Sequence, residues 1–464
     1  MASGRGCKPC TELLRYRGTA VLEALGALYL QRFNHPRGSE TNVQQLKGHG
    51  ANANIRVASC RKLRPPQHLA SARVDARDRI REPDDSNKET SMAKRQTRGE
   101  APLDAEQIVQ RENIAATAAM PADMARRLAS RRLLISGIKQ PIRPYPTDGG
   151  RGSYEMMLPQ GAVVGLPGKT LHRIARPKGN LRQTTLDGFR PKWANHVYHP
   201  KRSTIPKWAQ RPAHSAGRQG EVYWGVFPPE ERAVYYPSGY PWQCIGRVFV
   251  WNDASAASWA WWGSAVLIGP RLLLTAGHVV PWDASSWMMR FVPAYYDGTS
   301  ILGAGAESYV SDARGWSVSY FSRLPDAHDM AVCRLYEPLG DMFGYFGSKP
   351  YSDSFTGHPY WNLTGYPAAI AAAARPSYQL GITVNESDAS TDALDLEHRG
   401  DSTGGDSGGP FWGTWPDGFP YVVGTVSGGE TITNSSGVVI KDTNNCAGGN
   451  AINDLIRWGR ANWP

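Results

Sequence analysis

Cysteine is scarce, with six in 464 residues. They divide evenly into Cys7, Cys10 and Cys60, then Cys244, Cys333 and Cys446. So few exclude a disulfide scaffold. Three in the second half permit at most one internal bridge and leave one thiol, and Cys333, set in an apolar run, is the expected buried one. Cys7-x-x-Cys10 has no neighbouring ligands, and no other His, Cys, Asp or Glu grouping has metal-site spacing. No metal and no cofactor are therefore expected. Long apolar runs are missing too. No stretch reaches the roughly 18–20 residues that cross a bilayer, so no membrane partner is expected. The best early stretch, Thr19 to Leu30, contains Glu23 and is followed by Gln31 and Arg32, which makes a poor secretory leader.

Tryptophan is absent from the first 192 residues; all 16 lie at or after Trp193. Acid is thin in the same region. Residues 1–220 hold 39 Lys+Arg against 17 Asp+Glu, and residues 221–464 hold 13 against 24, so the formal charge of +11 averages +22 and −11. A basic segment rich in Arg, Pro and Gly cannot bury much core. Residues 1–220 are expected to be a low-order basic region or pro-region, with 150–220 as linker. A helical pattern shows between Glu106 and Leu134. Aromatics for base stacking are few and no nucleic-acid motif is present, so nucleic-acid binding is a secondary alternative for this region.

From Tyr223 the texture changes. Short apolar runs alternate with Gly, Pro, Asn, Asp and Ser clusters, as in an all-β barrel or sandwich. Ile245 to Trp251, Ser264 to Ile268, Leu272 to Thr275, Met288 to Pro293, Met330 to Leu335, Pro410 to Trp412 and Tyr421 to Val426 read as strands. At the end, Ile452, Leu455 and Ile456 recur at helical spacing after Asn450, the expected cap.

The chemistry concentrates in Gly405-Asp406-Ser407-Gly408-Gly409-Pro410. Thr275-Ala276-Gly277-His278 precedes Ser407 by 129 residues and Asp329-Met330-Ala331-Val332 by 78. A weakly nucleophilic hydroxyl needs a base, and the base needs an orienting carboxylate. Glycines around Ser407 permit a tight turn with inward N–H groups. Gly-x-Ser-x-Gly also fits the α/β-hydrolase elbow, but that fold needs a histidine after the serine, and the last one here is His398.

The order His, Asp, Ser, with Tyr240-Pro241-Trp242, Leu267-Ile268-Gly269-Pro270 and Thr364-Gly365-Tyr366-Pro367, resembles the trypsin-like serine endopeptidases, in particular the bacterial and fungal branch that includes the glutamyl endopeptidases. The resemblance covers roughly residues 221–464. It implies two six-stranded Greek-key β-barrels and a C-terminal helix, with 221–464 as the protease domain. It makes His278 the general base, Asp329 its orienter, Ser407 the nucleophile, and the N–H groups of Gly405 and Ser407 the oxyanion hole. His328 and Asp326 are the local competitors.

For specificity, the resemblance puts Asp401 on the floor of the primary pocket and Ser427, Gly428 and Gly429 on its wall. A carboxylate there would select Arg or Lys. Thr403 replaces the cysteine that trypsins carry, and Val426 replaces the histidine usual in glutamyl endopeptidases, so Arg/Lys and Glu both stay open. Asp406 either receives a new amine after cleavage at Arg232-Ala233, as in a zymogen, or bonds its own loop. Sequons at Asn362, Asn385 and Asn434 fit a secreted, monomeric glycoprotein acting on protein or peptide substrates. The contrasting alternative is an inactive binding protein on a protease fold, which would predict loss of a triad residue.

Overall fold

The computed structural model describes residues 101–111, 119–130, 165–179, 181, 183–203, 225–318 and 326–464. All belong to one compact unit, Glu82–Pro464. The readings of Cys7, Cys10, Cys60 and Thr19–Leu30, and the boundary at residue 220, lie outside the described residues.

Among the described residues, helices α1 (Ala105–Val109) and α2 (Ala122–Ser130) come first, then strands β1 (Thr170–Ile174) and β2 (Ala233–Val234). The first sheet continues with β3 (Ile245–Trp251), β4 (Trp261–Gly269), β5 (Leu272–Thr275) and β6 (Met288–Pro293). A ribbon of β7 (Tyr295–Tyr296) and β8 (Thr299–Ser300) leads to β9 (Ser308–Trp316) and β10 (Ala331–Leu335). The sheet order is β1-β9-β10-β5-β4-β3-β6, and β9 also pairs with β6. That extra pairing closes six strands into a barrel, with β1 added in parallel along β9.

Helix α3 (Leu339–Phe343) and strand β11 (Gly347–Ser348) cross to the second sheet. It comprises β12 (Trp361–Gly365), β13 (Ser377–Ile382), β14 (Val384–Ser390), β15 (Ala393–His398), β16 (Pro410–Thr414), β17 (Pro420–Thr433) and β18 (Val439–Gly449). Their order is β14-β15-β18-β17-β16-β12-β13-β2, and β11 pairs with β17. Helix α4 (Asn450–Asn462) closes the chain. The architecture is all-β, a closed six-stranded barrel and a second sheet with a C-terminal helix.

The elements follow from their residues. All seven residues of β3 and all four of β5 are buried, which is why they read as short continuous apolar runs. In α4, Ala451, Ile452, Leu455 and Ile456 are buried along one stripe. Asn450 is not its cap. Gly449 stands at that position at φ 83°, a left-handed turn suited to glycine, and Asn450 begins the helix. The Asn450 side chain instead donates to the Leu181 carbonyl.

The linker expectation does not hold for 165–179 and 183–203, which are laid against the barrel and the second sheet as a strap. Besides β1, Leu186 bridges to Ser348 and Phe189 to Tyr345. The Asn453 amide donates to the Thr184 carbonyl at 2.9 Å, and the Trp242 indole to the Val197 carbonyl at 2.8 Å. Arg460 on α4 donates to the carbonyls of Asp187, Ile268 and Phe346, tying strap, barrel and helix together. Proline and glycine discourage regular ladders, but they leave carbonyls free for such donors.

Two further expectations change. Cys244, Cys333 and Cys446 are all buried free thiols, so the permitted internal bridge is not formed. Asn362 lies on β12 at 1 % exposure and offers no access for a glycan, whereas Asn385 and Asn434 are exposed.

Candidate active site

Strand register brings the acid to the base. β10 runs antiparallel to β5 with Ala331 opposite Thr275. Asp329, two residues before β10 begins, therefore lies beside the turn that follows Thr275. That turn, Gly277–Val279, carries His278. The indoles of Trp282 and Trp261 hold it from either side by donating to the carbonyls of Gly277 (2.8 Å) and Val279 (2.9 Å).

Asp329 is 4 % exposed and uses both oxygens. Oδ1 accepts the His278 backbone N–H at 2.8 Å, and Oδ2 lies 2.6 Å from His278 Nδ1. The Ser427 hydroxyl also donates to Oδ2, at 2.7 Å. The carboxylate thus fixes the position of the ring and keeps a proton on Nδ1, leaving Nε2 as the basic nitrogen. Burial pulls the imidazole pKa down, but the charge of Asp329 and its hydrogen bond push the other way and leave it above the ordinary 6.5. The competitors are occupied elsewhere. Asp326 pairs with Arg176, and His328 is fully buried, with Nε2 3.3 Å from the Thr391 hydroxyl.

Ser407 reaches the same place from the second sheet. The Gly408 N–H donates to the Val426 carbonyl and the Val426 N–H to that of Gly409, both at 2.9 Å, so the loop backs onto β17 next to Ser427. Ser264 on β4 joins the two halves. Its N–H donates to the Ser407 carbonyl at 2.8 Å and its hydroxyl to the Gly405 carbonyl at 2.8 Å. Its own carbonyl accepts the Thr275 hydroxyl, just before the histidine turn. Among the described residues, Ser407 Oγ and His278 Nε2 form no hydrogen bond. Catalytic contacts of this kind commonly tighten only with substrate bound.

The loop's donors divide cleanly. The N–H of Asp406 bonds the Thr403 carbonyl and that of Gly409 the Asp406 carbonyl. Among the described residues, the N–H groups of Gly404, Gly405 and Ser407 have no acceptor. Gly405 sits at φ 102°, and a Cβ there would lie 2.4 Å from the Tyr366 carbonyl. Both the conformation and the space require glycine.

Asp401 does not stand open to a substrate cation. At 1 % exposure, its Oδ1 accepts the Phe227 N–H and its Oδ2 the Glu231 N–H, each at 2.8 Å. Beside it, Asn444 exchanges hydrogen bonds with both backbone groups of Gly225. The segment 225–232 therefore satisfies the carboxylate that was expected to floor the pocket. Ser427 serves Asp329, as described, and Gly429 lies buried further along β17.

Sequence reasoning missed Ser264, Trp261 and Trp282, whose roles depend on which sheet faces them. It also missed the partner of Asp406. The Arg232 guanidinium lies 3.2 Å from Asp406 Oδ2, with both side chains fully buried. Oδ2 also accepts the Thr403 N–H at 2.9 Å, so the own-loop bond exists as well. Burial pushes the Asp406 carboxyl up to about 6 against the opposing pull of Arg232. Among the described residues, no group of His, Cys, Asp and Glu is arranged to hold a metal, and no helix is long and apolar enough to cross a membrane.

No protein-family profile matches the chain. Over 181 residues it is 27 % identical to the glutamyl endopeptidase of Bacillus licheniformis, covering 38 % of this chain and 50 % of that protein. The chain thus spans about half the length of the curated relative it matches. Among solved structures, a Glu endopeptidase in complex with MPD aligns at 18 % identity over 51 % of this chain and 100 % of that one, TM-score 0.38. The protease Anisep of Arthrobacter nicotinovorans aligns at 18 % identity over 50 % of this chain and 99 % of that one, TM-score 0.36. With its closed six-stranded barrel, second sheet and C-terminal helix, and its similarity to a glutamyl endopeptidase, the chain has the fold of the trypsin-like serine proteases.

Proposed function

We propose that the chain is a serine endopeptidase that cleaves protein or peptide substrates through an acyl-enzyme. The observation that carries this reading is the three-way grip on Asp329, by the backbone N–H and ring of His278 and by the hydroxyl of Ser427. The grip leaves the carboxylate in contact with Nδ1 of the ring, as an orienting acid requires. In the proposed reaction Ser407 Oγ attacks the scissile carbonyl and passes its proton to His278 Nε2. The N–H groups of Gly405 and Ser407 receive the developing oxyanion. His278 then protonates the leaving amine, and water repeats the sequence to release the acid.

The protease domain in this reading is 221–464, with the basic chain before it as an N-terminal region. Exposed sequons at Asn385 and Asn434 support secretion. Because Asp401 is satisfied internally, the preference for Arg or Lys loses the carboxylate that suggested it. Cleavage after Glu is the second specificity reading, suggested by the name of the Bacillus relative.

The test is hydrolysis of a peptide library by the full chain and by its Ser407→Ala variant. Cleavage present in the first and absent in the second is expected, and the residue before the cut identifies the primary pocket. Equal cleavage by both, or none by folded wild type, would sink the reading in favour of a binding protein.

A further inference from the structure

One of the two readings of Asp406 made Arg232 a cleavage point, with the new amine of Ala233 moving to the carboxylate. The uncut chain already fills that position. The Arg232 side chain is fully buried, and Nη1 lies 3.2 Å from Asp406 Oδ2 and 2.9 Å from the Thr403 hydroxyl. Nε and Nη2 each donate to Glu230 at 2.8 Å, one to each carboxylate oxygen. This fork fixes the plane of the guanidinium before it meets the loop.

The surroundings leave the loop little freedom. A fully buried carboxylate without a cation nearby would be strongly disfavoured. The only cation in contact with Asp406 among the described residues is Arg232. The Ser402 N–H donates to the Gly225 carbonyl, and the Phe227 and Glu231 N–H groups to Asp401. Segment 225–232 therefore grips the chain at 401, 402, 403 and 406, directly before and within the loop that presents the free N–H groups of Gly405 and Ser407. The bond that activation would cut lies beside Ala233 and Val234, which pair with Tyr378 and Ser377 of β13.

We propose that Arg232 is a positioning residue: within the uncut chain its guanidinium neutralises Asp406, holds Thr403 to Ser407 with the oxyanion donors facing the substrate, and makes cleavage after Arg232 unnecessary for activity. This rests on the endopeptidase reading above. Cleavage there would free the Arg232 end of the segment from β2 and weaken the hold, so nicking lowers activity.

The experiment uses the full chain, with intactness at Arg232-Ala233 verified by mass. It measures labelling of Ser407 by a fluorophosphonate probe, kcat and KM on a library-derived peptide, inhibition by the matching peptide boronate, and thermal stability. Intact wild type should label and turn over. Arg232→Lys keeps the charge and should remain within about tenfold. Arg232→Met should lose about a hundredfold in kcat and in boronate affinity with KM within about threefold, the scale of a lost oxyanion donor. The pair Arg232→Met/Asp406→Asn removes both charges, which keeps the test available should the single variant unfold. It should regain thermal stability while kcat stays low, whereas a purely stabilising Arg232 predicts that both return. Intact protein that is inert until cut after Arg232, or a folded Arg232→Met with wild-type kcat, would overturn the proposal and leave the endopeptidase reading standing. Failure of intact and cut protein alike to label would remove the endopeptidase reading and this inference with it.

Discussion

At the scale of single residues, the candidate site turns on one carboxylate with three donors. Asp329 raises the affinity of His278 for a proton, and a general base must be unprotonated to act. The acid limb of the kcat/KM profile should therefore have its midpoint above 6.5. Asp329→Asn should lower kcat by roughly 10⁴ at neutral pH, the scale on which losing the orienter penalises such sites. It should also move the limb downward, because burial alone then acts on the imidazole. A pH profile of the variant superimposing on that of the wild type would show that Asp329 does not govern the base. The proposed His278, Asp329 and Ser407 could be singled out because each sits in a short phrase of small and apolar residues. Arg232 could not. Arg-Ala-Val reads as a protease site wherever it occurs, and nothing local tells whether the arginine points outward or lies buried on a carboxylate.

At the scale of elements, three apolar strands were legible to the residue, whereas only the core of β17, Tyr421 to Val426, was read and β9 and β18 were not. Ile245–Trp251, Leu272–Thr275 and Met288–Pro293 form as the apolar runs indicate. Their burial comes from the barrel itself, so composition suffices. β1, β2 and β11 were not legible, because such short pieces exist only through their partners. The strap failed for the same reason. Residues 165–179 and 183–203 have the composition of a linker, yet their carbonyls meet donors supplied by α4 and the two sheets. Arg460 makes this concrete, since one guanidinium satisfies three carbonyls from three separate segments. Arg460→Met should destabilise the protein by about 3 kcal/mol, the order of a lost charged donor plus carbonyls left unpaired. Urea unfolding would measure it. An unchanged midpoint and slope would mean the strap adds nothing to the fold.

At the scale of the whole molecule, three thiols sit in known compartments of a structure without described disulfides. Cys333 is on β10 of the closed barrel, Cys446 on β18 of the second sheet, and Cys244 precedes β3. All are shielded, and burial raises the pKa of each above the ordinary thiol value. Alkylation requires both exposure and thiolate, so the folded protein should resist it. The chain thereby carries its own clocks of opening. Pulsed alkylation in rising urea, read peptide by peptide, times the breathing of each half. Equal rates at Cys333 and Cys446 would mean the halves open as one body, and earlier labelling at one would name the half that yields first. Rapid labelling of either in native buffer would contradict their burial. A fold that leaves Cys244, Cys333 and Cys446 unpaired thus records, in the order they react, where it comes apart.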